Sequence, residues 1–422
     1  MSVADTRAEG FELAKGDGWI FVALLLGIVA IGESLKVYRL PALLPIVIVA
    51  VIYARETVLR KQNLPLLAFT ALGFVYVVLS YLHVLPTAWT RYHDASVIPQ
   101  QASFLAILLP MVAASQKWWD DSRFDHNRDA VLIAVVLVAF VFGSAVDLAL
   151  LGDVSFRGSY TLRNHVFLGM LALSYLAFRP GKWRFTAILA LLLVSAWCVA
   201  HNYFLQNTIV YLTTLGFLAT TIVRISADRL ILAAFLVLLA TATFVGLQDP
   251  GRVFEIDANS GWRLAFWKDA VEASAQVWGV GVGFGTESLR NEYSALLDRE
   301  SYREEGEDFL LVSTHSAFID TLFRLGVVGL GLLVLILVRC FPLRRMPLAS
   351  RAQCCTMFAI LVLCLHSNLG LQSPMYSLGV AIGIGFLQSE RRKALAATST
   401  IFDGVPGVPG GMPSYTPPRP RQ

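Results

Sequence analysis

Two apolar stretches decide the fold class of this chain. Residues 229–247 read RLILAAFLVLLATATFVGL, and residues 316–338 read SAFIDTLFRLGVVGLGLLVLILV. A helix needs roughly 20 mainly apolar residues to cross the hydrocarbon core of a bilayer, and both stretches approach or exceed that length. They flank residues 248–315, a segment that is long for a connector in a compact membrane bundle and therefore indicates a function or a structure of its own.

Apolar blocks separated by short polar connectors recur outward from these two stretches. Hydrophobic residues make up 56% of the sequence and charged residues only 15%, whereas a soluble protein carries about a quarter charged residues. We therefore predict an all-α polytopic membrane protein with about 12 transmembrane helices. The predicted spans are residues 19–32, 40–54, 64–85, 98–114, 130–151, 165–178, 185–200, 207–223, 229–247, 316–338, 352–369 and 374–389.

The polar segments complete the predicted organisation. Residues 1–18 form a cytoplasmic N-terminus without the pattern of a cleaved signal peptide. The first nine spans lie within residues 19–247, the long periplasmic loop covers residues 248–315, and the last three spans lie within residues 316–389. Residues 390–422 form a cytoplasmic tail, rich in Pro and Gly from about Thr398, that we expect to be disordered.

Basic residues alternate between the connectors in a way that predicts orientation, because cytoplasmic loops of membrane proteins carry the excess of Lys and Arg. With the N-terminus inside, the short connectors on the opposite side hold only Lys36, Arg39, Arg91, Arg157 and Arg163. We predict a bacterial inner-membrane protein with both termini in the cytoplasm. The net charge of +4 follows this topology, so the lipid bilayer is an expected partner and nucleic acid is not. The cytoplasmic segments hold Arg7, Lys15, Arg55, Arg60, Lys61, Lys117, Arg123, Arg128, Arg179, Lys182, Arg184, Arg224, Arg229, Arg339, Arg344, Arg345, Arg351, Arg391, Arg392 and Lys393.

The long loop carries a helical pattern followed by a glycine repeat. Ser260 can cap a helix, and apolar residues then recur at intervals of three and four, which predicts an amphipathic helix over residues 262–277 on the outer membrane face. Arg263 and Trp267 share one side of it. Glycine at every second position over residues 279–285 either brings backbone amides close to an anionic group or forms a flexible turn.

Charged residues at the end of the loop suggest a second feature. His315, Asp320 and Arg324 follow one another at intervals of five and four, so we expect them to face one cavity near the outer surface. Ionisable residues within a span usually face the protein interior and mark a functional path. A structural Asp320–Arg324 ion pair is the alternative. His366, at the end of a later span, either lines the cavity or makes an interhelical hydrogen bond.

Two arginines precede the sixth span on the side where positive charge is scarce. Arg157 and Arg163 lie in the segment FRGSYTLRNH. Paired guanidinium groups bind phosphates bidentately, so a phosphate-containing ligand is one explanation and interfacial snorkelling is the other. The five cysteines lie in or beside apolar spans, without the spacing of metal ligands, and fit small packing residues.

In this order and on this side of the membrane, these motifs resemble the O-antigen ligase and polysaccharide polymerase superfamily of bacterial inner-membrane enzymes. The similar features are Arg263 four residues before Trp267, the glycines Gly281, Gly283 and Gly285, and His315 entering a helix with a Gly-rich turn. Upstream, Arg157 and Asn164 match a further part of the family pattern. The chain departs from the pattern at Ser316, where Asn is usual, and at Val277-Trp278, where the family has Pro before the glycines.

The resemblance implies a GT-C-like fold and a glycosyltransferase that uses an undecaprenyl-pyrophosphate-linked glycan as donor. The acceptor is a glycan or lipid A–core at the periplasmic face. Arg263, Arg157 and Arg163 suit binding of the pyrophosphate without a metal or other cofactor. His315 is either the general base for the acceptor or a hydrogen-bond donor to the pyrophosphate. Supporting roles fall to Asn164, Trp267, Gly281, Gly283, Gly285, Asp320 and Arg324.

Two further questions stay open at this point. Within the superfamily, a ligase attaches finished polymer to lipid A–core, whereas a polymerase joins repeat units on the carrier, and both need the same donor. Outside it, a lipid-linked glycan flippase or another polytopic transporter is the alternative class. Transporters often contain two related halves with broken helices at the membrane centre. This sequence has no evident repeat between its halves, and its ionisable residues gather at the outer face instead of the middle of the membrane.

Overall fold

A computed structural model describes most of the chain. The described residues are 19–26, 39–86, 95–121, 125–137, 169, 171–200, 205–256, 258–286, 314–367 and 374–403. The predicted disordered tail from about Thr398 therefore lies largely outside them, as do most of the predicted span 130–151 and the first residues of the predicted span 165–178.

The prediction of an all-α protein is confirmed, since the described residues form helices and no β-strand. Short 3-10 turns at Lys61–Asn63 and Ala95–Val97 lead into two of the helices. The helices are α1 (19–26), α2 (Arg39–Val58), α3 (Leu64–Tyr81), α4 (Ile98–Asp120), α5 (Asp125–Leu137), α6 (171–178), α7 (Trp183–Ala200), α8 (Leu205–Ile222), α9 (Asp228–Gln248), α10 (Pro250–Ile256), α11 (Ala258–Gln276), α12 (Ala317–Cys340), α13 (Leu348–Ser367) and α14 (Pro374–Asp403).

Several of these helices are long and apolar enough to cross a membrane. By length and composition, 5 helical segments qualify in the described part of the chain, and shorter apolar helices lie at Trp183–Leu193 and Leu212–Ile222. The chain is therefore a membrane protein with several spanning helices, and the number twelve stays a prediction. The qualifying segments are Lys61–Tyr81, Ala95–Asp120, Asp228–Gln248, Ala317–Cys340 and Leu348–His366.

Burial differs sharply between the inner and the peripheral helices. Helix α4 packs between α2 and α14 and is largely buried. At its end the ring of Trp119 contacts Trp118, Tyr175 and Phe386 at centroid distances of 4.6, 4.9 and 5.0 Å. On α9, by contrast, Leu230 and Leu238 are 73% and 69% exposed. Apolar side chains exposed along a whole helix fit contact with lipid tails, where they carry no hydrophobic penalty.

The predicted cytoplasmic connectors gather at one end of the bundle, which we call the basic end. Asp120 at the end of α4 pairs with Arg60 at 2.8 Å and also with Arg392 of α14. Arg339 at the end of α12 donates to the carbonyl of Lys61 at 2.8 Å. These contacts join connectors that the Lys and Arg count assigned to the same side of the membrane.

A buried ion pair ties two further connectors into the basic end. Arg351 of α13 bonds both carboxylate oxygens of Asp228, the first residue of α9, at 2.6 and 2.9 Å. Each of the 5 long apolar segments thus has one terminus at the basic end. The opposite termini of α3, α4, α9, α12 and α13 meet at the other end of the bundle. Among these helices, α3, α9 and α13 therefore begin at the basic end, and α4 and α12 end there. Which end faces the cytoplasm stays a prediction.

Removal of the carboxylate at position 228 should destabilise the bundle strongly. The Asp228 side chain is 1% exposed and that of Arg351 is 11% exposed, so Asp228→Ala leaves a buried guanidinium without its counter-charge. We expect a loss of about 3 kcal/mol in the free energy of unfolding. Thermal unfolding of the detergent-solubilised protein, followed by circular dichroism, measures the change.

The double variant Asp228→Ala/Arg351→Leu is the matched control. Because it removes both charges, it should recover part of the melting temperature that the single variant loses. If Asp228→Ala unfolds at the temperature of the unchanged protein, the pair does not hold the connectors together.

Candidate active site

The long loop begins with two helices, α10 and α11, that pack on each other. The predicted helix over residues 262–277 is confirmed, since α11 covers Ala258–Gln276. It differs from a surface helix in its first half, because Trp262, Leu264, Phe266 and Trp267 are all buried although they point to different sides. Its neighbours are α9, α10 and α12, so α11 is enclosed by protein there instead of presenting one apolar face.

Helix α12 contains a break at Gly326, and this break organises the site. Gly326 has φ 68° and ψ −167°, far from helical values. A helical carbonyl normally accepts from the amide four residues later, and a break interrupts that series. The carbonyls of Phe323 and Arg324 accept instead from the amides of Val282 and Gly283, at 2.8 and 3.0 Å. The glycine-rich segment, residues 279–286, thus replaces the missing helical donors.

Four successive amides of the glycine-rich segment have acceptors within the protein. Beside the two that bond α12, the amide of Phe284 donates to Ser80 Oγ at 2.8 Å and that of Gly285 to Gln101 Oε1 at 2.6 Å. The segment is therefore bound to α3, α4 and α12. These amides point at protein acceptors instead of an open anion site, and their fixed partners also argue against a flexible turn.

Two glycines are required for this close approach. A Cβ atom on Gly281 would lie 2.5 Å from the amide nitrogen of Gly326 and 2.7 Å from the carbonyl oxygen of Arg324. A Cβ on Gly326 would lie 2.2 Å from the carbonyl oxygen of Gly279. Both glycines also have positive φ, a conformation that disfavours other residues. The repeat therefore allows backbone to pack against backbone.

Arg324 is buried beneath the glycine-rich segment. Its Nη1 donates to Gln101 Oε1 at 2.9 Å and to the carbonyls of Gly283 and Thr286 at 3.3 and 3.4 Å. Gln101 Nε2 also donates to Thr286 O, at 3.1 Å. A buried guanidinium is costly unless acceptors surround it. Arg324 therefore fastens the segment to α4 and has a structural role in this arrangement.

The charged residues of α12 line only a very small cavity. Asp320, Arg324 and Gln101 surround a space of about 10 Å³, which is roughly the volume that one water needs. His315 does not belong to the lining. Within the described residues, this cavity brings Asp320 and Arg324 together with Gln101 of α4, and a cavity that they share with His315 stays a prediction.

The turn that carries His315 is held by its neighbours. Asp320 Oδ1 accepts from the amide of Thr314 at 2.8 Å, and Ser316 caps α12 by accepting from the amide of Ile319. His315 has a left-handed backbone with φ 61°. Since Ser and Asn are both favoured N-cap residues, Ser316 keeps the capping chemistry that Asn would provide.

Two tryptophans of α11 bring Arg263 to this turn. The ring of Trp262 meets the ring of His315 edge to face at 5.1 Å, and Trp267 Nε1 donates to the carbonyl of Thr314 at 2.7 Å. Arg263 lies between these tryptophans in the sequence and is partly buried. Arg263 and His315 therefore belong to two elements that are packed directly against each other.

His366 joins the same group from α13. Its ring contacts that of Trp267 at 4.9 Å, and its Nε2 lies 2.6 Å from Thr243 Oγ1 of α9. The predicted interhelical hydrogen bond of His366 is thus confirmed. His366 also lies within electrostatic range of Arg263. We use the term candidate site for Arg263, Trp267, His315 and His366.

Other site predictions fall elsewhere. Arg157, Arg163 and Asn164 lie outside the described residues.

The sequence analysis missed Gln101, which contacts Arg324, and Thr243, which contacts His366. A polar side chain in an otherwise apolar span was the available signal for Gln101, but it did not identify a partner 223 positions away in Arg324.

Comparison with protein-family models gives no match for this chain, and comparison with curated proteins gives none either.

Gly326→Ala should disrupt the seam between α12 and the glycine-rich segment. The added methyl would overlap the carbonyl oxygens of Gly279 and Val280, at 2.2 and 2.3 Å, in a backbone with φ 68°. We expect a loss of about 2 kcal/mol or more in stability, measured as a lower melting temperature in detergent. Gly331→Ala, later in the same helix, adds a Cβ with no atom within 4 Å other than those of its chain neighbours and its own helical backbone, so it should leave the temperature unchanged or raise it. Equal melting temperatures for both variants would contradict this account of the seam.

Proposed function

We propose that this protein is a membrane glycosyltransferase that moves a glycan from undecaprenyl pyrophosphate to an acceptor hydroxyl at the periplasmic face. The proposal places it with the O-antigen ligases and the repeat-unit or exopolysaccharide polymerases that its motifs resemble. It includes a bundle of about 12 spans with a GT-C-like arrangement, located in the bacterial inner membrane with both termini in the cytoplasm.

The contact between the helix that carries Arg263 and the turn that carries His315 is the observation that carries the proposal. The two residues are separated by about 50 positions of sequence, yet Trp262 and Trp267 join their elements directly. They also lie at the end opposite to the basic end. By the excess of Lys and Arg in cytoplasmic connectors, that end is the periplasmic one.

The chemistry of these residues fits the proposed transfer. An acceptor oxygen attacks the anomeric carbon of the donor glycan and forms the new glycosidic bond. The bond between that carbon and the pyrophosphate oxygen breaks, and undecaprenyl pyrophosphate leaves with the electron pair. Arg263 stabilises the negative charge that develops on the leaving group. The proton of the acceptor passes to His315 if it serves as general base.

The Trp262–His315 contact suits either role of the histidine. The edge-to-face contact with Trp262 at 5.1 Å fixes the direction of the imidazole. A fixed imidazole either accepts the proton of the acceptor or donates a hydrogen bond to the pyrophosphate. The proposal also assigns pyrophosphate contacts to Arg157 and Arg163 and a supporting role to Asn164.

Glycans from a strain that lacks the gene test the proposal and distinguish its two forms. Long polymer retained on the carrier, together with bare lipid A–core, identifies a ligase. Single repeat units without long polymer identify a polymerase. An unchanged pattern of surface and lipid-linked glycans on gels contradicts the glycosyltransferase proposal and favours the transporter class.

Substitutions at the candidate site should remove activity without removing the protein from the membrane. Arg263→Ala eliminates the positive charge at the leaving group, and His315→Asn eliminates the imidazole while tolerating the left-handed backbone. We expect each to reduce glycan product at least about 100-fold at equal protein level, measured on complemented deletion strains.

Two variants serve as matched controls. Arg252→Ala removes an exposed arginine of the neighbouring helix α10, and His83→Asn changes an exposed histidine whose φ of 53° is also left-handed. Both should retain normal product. Normal product from Arg263→Ala, or equal losses from the controls, would refute the assignment of the site.

Chelation of divalent cations should not inhibit the transfer, since the proposal assigns the leaving-group charge to arginines. Membranes that contain the overexpressed protein, treated with EDTA and supplied with lipid-linked donor and acceptor, should form product at the untreated rate. Loss of product with recovery on addition of Mg²⁺ or Mn²⁺ would contradict the arginine-based account.

A further inference from the structure

An open groove runs along α12 on the outside of the bundle, bordered by α9, α13 and α14. Its volume is about 790 Å³. Most of its wall is apolar, as at Leu236, Val334, Leu337 and Phe358, and it extends from Phe341 at the basic end as far as Phe318 in the first turn of α12. The groove is thus a mainly apolar recess at the surface of the bundle.

Four arginines surround the groove where it reaches the basic end: Arg229, Arg344, Arg345 and Arg391. Within the described residues none of them has a carboxylate partner within 4.0 Å. Other cations at this end do have one, as in the pairs Arg351–Asp228 and Arg60–Asp120. Positive charge is therefore concentrated at one mouth of the groove.

The arginines are positioned in two different ways. Arg229 lies over the ring of Phe341 at 5.6 Å, and Arg391 Nη1 donates to the carbonyls of Val338 and Arg339 at 3.1 and 3.2 Å. These contacts hold both guanidinium groups at the groove wall. Arg344 and Arg345 are exposed in the turn after α12. Two fixed and two exposed guanidinium groups offer phosphate oxygens many donors.

We propose that this groove binds an anionic phospholipid of the leaflet at the basic end. The phosphate of the headgroup contacts the arginines, and an acyl chain lies along Val334 and Leu337. Charge complementarity selects an anionic over a zwitterionic headgroup, and basic pockets between membrane helices are known to bind such lipids. The site is distinct from the candidate site, because its charges lie at the other end of the bundle.

Native mass spectrometry of the full-length protein in detergent tests the proposal. The protein is titrated with phosphatidylglycerol and, separately, with phosphatidylethanolamine. Arg344→Gln/Arg345→Gln removes the two exposed charges of the groove. Arg55→Gln/Arg224→Gln is the matched control, since it removes two exposed arginines at the same end that do not line the groove.

We expect phosphatidylglycerol to bind the unchanged protein and the control with similar affinity, and the groove variant at least about tenfold more weakly. Phosphatidylethanolamine should bind all three weakly. Val334→Trp, which fills the apolar wall at a residue that is 45% exposed, should also weaken phosphatidylglycerol binding while leaving every arginine in place.

Three results would overturn the proposal. If the groove variant and the control variant weaken phosphatidylglycerol binding equally, the lipid is attracted to the basic surface in general and not to the groove. Equal binding of the two lipids means that charge does not select the occupant. Displacement of the lipid by glycerophosphoglycerol at similar concentration, with no effect of Val334→Trp, means a headgroup or phosphate site without a bound acyl chain.

Discussion

The backbone pairing between the glycine-rich segment and the broken helix α12 supports the rest of the candidate site. Polar backbone groups have no water to bond inside a membrane bundle, so a break in a spanning helix needs substitute partners. The amides of Val282 and Gly283 supply them to the carbonyls of Phe323 and Arg324. In return, the amide of Val327 donates a hydrogen bond to the carbonyl oxygen of Gly279 at 2.8 Å. Two irregular stretches thereby satisfy each other.

This exchange determines where the functional groups can lie. Arg324 and Gln101 fasten the glycine-rich segment to α4. Asp320, in the first turn of α12, holds Thr314 by accepting a hydrogen bond from its amide. The helix α11 leads directly into that segment and lies against α12. Arg263 and His315 are consequently placed by elements on both sides of one seam. Asp320 and Arg324, to which the sequence analysis gave supporting roles, contribute to this placement.

The two ends of the bundle have different electrostatic characters. At the basic end, carboxylates such as Asp120 and Asp228 neutralise some arginines and connect the helix termini, while the arginines of the groove have no such partner among the described residues. At the candidate site, at the opposite end, the described polar side chains include His315, His366, Thr243 and the partly buried Arg263. One end therefore suits contact with anionic lipid surfaces, and the other suits a specific polar ligand.

The sequence by itself determined the helical class, the membrane environment and the alternation of the connectors, because apolar length and the placement of Lys and Arg depend on local composition alone. It also located the helix that carries Arg263 and the turn with His315. Only the tertiary structure decided that α9, α10 and α12 enclose the first half of α11 and that the glycine-rich segment packs against α12. It also decided that Arg324 bonds Gln101. Those outcomes depend on contacts between residues far apart in the chain. A glycine has the same local signature whether its neighbour is a ligand or another backbone, so spacing alone could not distinguish the two.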